Sequence, residues 1–238
     1  MSIGSIDGKR ILAVVAAALA MFPIAAVAQA PVSRYTVVLD AAHGGEDTGG
    51  HSITPGGTWM EKDTALALSV RLRSLLAARG MNVVTTRETD VNVDPVKRDE
   101  LADHANAQAC ITLHASLSGT GVHLFTSSLA PAPPARILPW RTAQASFINR
   151  SLNLAGVLNS ALQHGGLNVM LGRTSLPVID SMTCPAVAIE LSPDSATGKP
   201  GHTGVDSLND ADYQARVAEA IAAAIVEWRA QPAGAGQP

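Results

Sequence analysis

The sequence predicts an α/β fold: a mainly parallel twisted sheet with helices on both faces, in a single domain. Three observations carry that expectation. Short β-rich runs alternate with amphipathic helical stretches, the order that builds a parallel sheet. The runs Tyr-Thr-Val-Val-Leu (Tyr35–Leu39), Ala-Cys-Ile-Thr-Leu (Ala109–Leu113) and Pro-Ala-Val-Ala-Ile-Glu (Pro185–Glu190) are nearly continuously apolar, as strands buried on both faces must be. The chain length, 238 residues, suits one domain of ordinary size.

The elements follow in order. Lys9 and Arg10 precede an apolar run from Ile11 to Phe22, then Pro23 and the small-x-small site Ala26-Val27-Ala28. That succession fits a secretory signal peptide over residues 1–28. The alternative is an uncleaved membrane anchor, although Pro23 interrupts the stretch. Either way the remainder is expected to be exported, periplasmic or secreted. Tyr35–Leu39 reads as the first strand, ending at Asp40 and a glycine-rich loop. From Glu61 to Arg79, Ala65, Leu68, Leu72, Leu75 and Leu76 make a helical stripe stopped by Gly80. Asn82–Thr86 reads as a second strand. Asp94-Pro95 is a helix start with a capping side chain and proline at the first position, and the helix is expected to run to about Gln108. Strands at Cys110–His114 and Val122–Thr126 come next. Pro131, Pro133, Pro134 and Pro139 rule out regular structure and mark a surface excursion. A helix over Ser151–Gln163 ends at Gly165-Gly166, Ala186–Leu191 is an apolar strand, and Asn209–Arg229 closes the domain as one long helix. The tail, residues 231–238, is rich in Gly, Ala and Pro and reads as flexible.

Composition narrows the function. With 47% hydrophobic and 16% charged residues the chain can bury a real core, which excludes global disorder. A net charge of −3 with no basic block gives no footprint for nucleic acid. Two cysteines cannot make a disulfide-dense scaffold or a four-cysteine zinc module. Cys110 and Cys184 each open a buried strand. Two buried free thiols, packing as small hydrophobes, are favoured over one disulfide, which would need those strands to be neighbours.

Open α/β sheets place their ligands at the carboxyl ends of the strands. His43 lies just past the first strand, His114 ends the strand Cys110–His114, and Glu190 lies near the end of an apolar strand, where an unpaired charge is costly. Glu61 opens the helix on the same side. Two histidines and a carboxylate make a three-ligand zinc site with a fourth position open. A second carboxylate beside it can take a proton from water and pass it to a leaving amine. His43, Glu61 and His114 are therefore assigned as ligands of one zinc ion and Glu190 as the catalytic base. Plainer readings stand beside these. Thr58-Trp59-Met60-Glu61 fits a capping box, which on sequence alone is the stronger reading of Glu61. His114 fits a core histidine and His43 a turn residue. His51, His104, His123, His164 and His202 read as structural or solvated.

The segments VVLDAAHGGEDTGG, EKDTALALSVRLRSLLAARGMNVVTTRETD, RDELADHANAQACITLHAS and TSLPVIDSMTCPAVAIELS, in that order, resemble the zinc-dependent N-acetylmuramoyl-L-alanine amidases of the type 3 amidase family. The resemblance implies a catalytic domain over residues 33–230, with the family's ligands on His43, Glu61 and His114 and its catalytic glutamate on Glu190. It implies zinc as the cofactor and bacterial peptidoglycan as the substrate, cut at the amide between N-acetylmuramic acid and L-alanine. Whether an activator protein takes part is left open. Ala41-Ala42 stands where the family usually has Pro-Gly, and Leu191-Ser-Pro-Asp-Ser replaces its usual Gly-Phe continuation. Those departures leave two alternatives: a related zinc peptidase or deacetylase, and an inactive wall-binding homologue. The proline-rich stretch Pro131–Pro139 is too short for the inhibitory helix that some members insert.

Overall fold

Alternating apolar runs become a six-stranded sheet in this computed structural model, which describes residues 35–54, 57–133, 139–194 and 204–231. The strands are β1 (Thr36–Ala41), β4 (Asn82–Thr85), β5 (Ala109–Ala115), β6 (Val122–Ser127), β7 (Val169–Thr174) and β8 (Ala186–Leu191), with β2 (His51–Thr54) and β3 (Gly57–Met60) forming a separate antiparallel hairpin. The sheet order is β4-β1-β5-β8-β6-β7. All neighbours are parallel except β6 and β8.

Strand periodicity divides the core in two, because successive side chains face opposite ways. Val37, Leu39, Ile111, Leu113, Val187 and Ile189 point to the face covered by α1 (Glu61–Ala78), α3 (Ile148–His164) and α6 (Ala211–Ala230). Leu68, Leu72 and Leu76 of α1, Leu154, Leu158 and Leu162 of α3, and Val217, Ile221 and Ile225 of α6 meet them there, fully buried. Val38, Cys110, Ala186 and Ala188 point the other way. They pack on Ala102 of α2 (Pro95–His104) and Ile179 of α4 (Pro177–Ser181). A 3₁₀ segment, Trp140–Ser146, and the short α5 (Gly204–Asn209) complete the elements. Helices thus cover both faces of a mainly parallel sheet, and the elements belong to one compact unit.

Several expectations change. Cys110 and Cys184 are not free thiols: they form a disulfide. Because β5 and β8 are neighbours, with Cys110 opposite Ala186, Cys184 comes to 6.1 Å between Cα atoms, within bonding range. The helix from Pro95 ends at His104 instead of Gln108, since Asn106 adopts the left-handed region at φ 48° and turns the chain into β5. The closing helix forms as one element, α6, close to the expected Asn209–Arg229; the short α5 before it was not expected, and Asp210 between them caps α6 through the N–H groups of Asp212 and Tyr213. The capping box at Thr58 gives way to strand, with Met60 preceding the helix and no side-chain cap. The hairpin β2–β3, strand β7 and the 3₁₀ segment were not expected. The signal segment over residues 1–28, His202, residues 134–138 of the proline-rich stretch and all of the tail but Gln231 lie outside the described residues. Among the described residues, no helix is long and apolar enough to cross a membrane.

Candidate metal and amidase site

The site is assembled at one edge of the sheet. β1, β5 and β8 are adjacent and parallel, so their carboxyl ends share that edge. β6 runs against β8, which brings its first residues to the same edge.

Past β1 the chain turns through three consecutive residues of positive φ: His43 at 60°, Gly44 at 132° and Gly45 at 60°. A Cβ on Gly44 would lie 2.2 Å from the Val91 carbonyl oxygen, so this turn accepts no side chain there. Two buried arginines fix the turn by taking its carbonyls. Arg87 donates through Nε to Ala41 and through Nη2 to Ala42 and Lys62; Arg98 donates to Ala41 and, through Nη2 at 2.8 Å, to His43. Arg98 also pairs with buried Asp40 at 2.6 Å. Lys62 and Asp90 complete the clamp at Gly45.

Glu61 is the first residue of α1, delivered by the hairpin β2–β3 and placed where the helix dipole favours an anion. Its Oε1 lies 3.1 Å from His43 Nε2 and 2.8 Å from His114 Nδ1, and its Oε2 accepts the Gly50 N–H at 2.9 Å. Gly49 lies against this pair so closely that a Cβ would fall 2.5 Å from the His43 ring and 2.7 Å from Glu61 Oε2. His114 comes from the end of β5, its ring edge-on to His43 with centroids 5.5 Å apart. Nδ1 of His43 faces Asp47 Oδ2 at 2.9 Å.

Donor atoms of His43, Glu61 and His114 therefore lie within 4.8 Å of one another, a group that could hold a metal ion. The same contacts set the charge of the group. Burial opposes ionisation of Glu61, yet the bonds from His114, His43 and the Gly50 N–H hold its carboxyl well below the usual carboxylate range. The adjacent Glu61 carboxylate, aided by Asp47, raises His43 above the ordinary imidazole value against the effect of burial. Glu190 of β8 stands beside His114 in register, outside the three-residue group. Its Oε1 is 3.0 Å from Nδ1 of His123, directly across in β6. A cavity of about 250 Å³ opens beside His43 and His114, walled by Leu176, Pro177, Val178 and Ile179.

The profile of the N-acetylmuramoyl-L-alanine amidase family, Amidase_3, matches residues 37–227, which span every element of this sheet except the first residue of β1. The chain belongs to that family. The N-acetylmuramoyl-L-alanine amidase AmiC of Neisseria meningitidis is 33% identical over 142 residues, covering 57% of this chain and 31% of that protein. The germination-specific N-acetylmuramoyl-L-alanine amidase of Bacillus subtilis is 32% identical over 98 residues, 35% of this chain and 40% of its own length. The chain thus spans less than half the length of these two relatives. The catalytic domain of CwlV, an N-acetylmuramoyl-L-alanine amidase from Bacillus (Paenibacillus) polymyxa var. colistinus, is 26% identical and superposes with a TM-score of 0.62 over 82% of this chain and 98% of that one. The N-acetylmuramoyl-L-alanine amidase of Clostridium difficile, at 21% identity, shares the fold with a TM-score of 0.63 over 82% and 97% of the two chains.

In this amidase-family chain His43, Glu61 and His114 come together, and Glu190 sits beside them without joining the group. Sequence reasoning missed Asp47, Arg87, Arg98 and His123. Arg87 and Arg98 fall within the family-like blocks, which was the signal that could have found them. His123 carried none, because its partner is set by an antiparallel pairing invisible in sequence order. His104 and His164 bond carbonyls one turn back in their own helices, those of Glu100 and Ser160.

Proposed function

We propose that this chain is a zinc-dependent N-acetylmuramoyl-L-alanine amidase that cuts the amide between N-acetylmuramic acid and L-alanine in peptidoglycan, outside the cytoplasm. The observation that carries the reading is the convergence of His43, Glu61 and His114 at the strand edge with Glu190 in register beside them. Family membership supports the choice of substrate.

The donor set fits zinc: two imidazole nitrogens and one carboxylate oxygen are the ligand types of a three-ligand zinc site, and a cavity opens beside His43 and His114. Asp47 on the far nitrogen of His43 supplies the carboxylate–histidine support such ligands use. Zinc, when bound there, polarises a carbonyl and acidifies water. The chain's own residues do the rest. His43, Glu61 and His114 would hold the ion, and the clamped loop would fix His43. Glu190, partly exposed, accepts a proton from the attacking water and returns it to the nitrogen of the departing L-alanine amine. The muramic acid lactyl group leaves as a carboxylate.

The test is dye release from purified peptidoglycan with zinc-loaded wild type, Glu190→Gln and chelated enzyme. Expected are a fall of about 10²- to 10⁴-fold in Glu190→Gln, the range of a lost general base, with zinc content unchanged, and loss of activity on chelation that zinc restores. Wild-type rates in either arm overturn the mechanism.

A further inference from the structure

We infer that His123 is a positioning residue for Glu190, orienting the catalytic carboxylate from the opposite strand. The inference rests on the amidase reading above and deepens it. His123 and Glu190 are register partners in the antiparallel pair β6–β8, so their side chains rise from the same face of the sheet. The histidine is 8% exposed, and its Nδ1 lies 3.0 Å from Glu190 Oε1.

Its ring is held on two further sides. Phe125 meets it edge-on, with centroids 6.3 Å apart and planes at 87°. Gly119 packs against its Cε1 edge, where an added Cβ would fall 2.4 Å from His123 Cε1. A glutamate has three rotatable side-chain bonds, and an unsupported one at a groove wall samples many directions. A fixed ring whose Nδ1–H donates to Oε1 selects one orientation and leaves Oε2 for the water. His114, Glu190's register partner on the other flank, is engaged with Glu61 instead. The supporting bond to Glu190 therefore comes from β6.

Two substitutions separate this role from a merely structural one. His123→Phe keeps a ring in the slot and removes the donor; His123→Asn restores a side-chain N–H near the place of Nδ1. On a soluble muramoyl peptide, zinc-loaded His123→Phe is expected to lose kcat about 10- to 100-fold, the range for removing a partner that orients an active-site ligand, with KM, zinc content and Tm unchanged. His123→Asn is expected to recover most of the loss. In the Glu190→Gln background His123→Phe should cost little more, because the orienting bond has lost its carboxylate. A readout independent of turnover is the imidazole ¹⁵N spectrum of metal-free protein. There the protonated nitrogen of His123 should be Nδ1, and its shift should move in Glu190→Ala. Wild-type kcat in His123→Phe, or a His123 signal indifferent to Glu190→Ala, overturns the inference while leaving the amidase reading intact. A wild type silent on the substrate overturns the amidase reading, and this one with it.

Discussion

Glu61 shows how much one carboxylate can organise. It faces two histidines on separate elements and accepts a backbone N–H from each of Gly50 and Ala115. Glu61→Gln keeps the shape and removes the charge, so zinc affinity should fall by about 10-fold or more while the fold persists; zinc titration against a competing chelator measures it. Asp99 makes a separate statement about pH. Burial, with Asp103 and Asp40 adding to it, raises its carboxyl to about 6 from 3.8, despite the opposing bond from Ser181. The folded state therefore keeps this proton at pH values where the unfolded chain releases it. The contribution is full below about pH 4 and is lost as pH rises through 6. Asp99→Asn cannot ionise, so the stability of wild type relative to this variant should decline between pH 4 and 7, by something on the order of 1 kcal/mol. Thermal melts across that range check it, and parallel profiles would refute it. At this scale the sequence was informative where a residue clashed with its surroundings. Glu190 in an apolar strand announced itself. Glu61 read more strongly as a capping-box residue, because a helix start prefers acids for reasons unrelated to metals.

Among elements, parallel strands were readable from their continuous apolar runs, because both faces are buried. Strand β7 was not. It lies at the sheet edge, with Met170 and Leu171 exposed and Gly172 at its centre, so it lacks both a continuous apolar run and a clean alternation. The direction of β6 was equally hidden, since strand order leaves no mark in local composition. The disulfide followed from that same ordering: only the adjacency of β5 and β8 brings Cys110 to Cys184. The bond closes a loop of 74 residues. Chain-entropy reasoning gives it about 4 kcal/mol of stabilisation. Cys110→Ala with Cys184→Ala should unfold at distinctly lower denaturant than wild type, and reduced wild type should match it. Equal midpoints would show that the bridge carries no stability. The clamp at the first loop is also an element-scale device. Arg87 and Arg98 bind carbonyls of Ala41, Ala42 and His43, so side-chain donors supply rigidity at that turn.

Over the whole molecule the sheet order explains the site. Adjacent parallel strands β1, β5 and β8 deliver His43, His114 and Glu190 to one edge, a hairpin brings Glu61 to meet them, and reversed β6 adds His123. Residues as far apart as His43 and Glu190 meet through strand order and the hairpin before Glu61, which is why no short motif revealed the cluster. A net charge of −3 gives the chain little long-range attraction for an anionic polymer. The central claim is the bond that is cut. Purified peptidoglycan digested with zinc-loaded enzyme and resolved by mass spectrometry tests it most directly. The expected products are intact glycan strands bearing free lactyl carboxylates, and stem peptides beginning with L-alanine. Fragments broken within the stem peptide, deacetylated sugars, or undigested wall would contradict it.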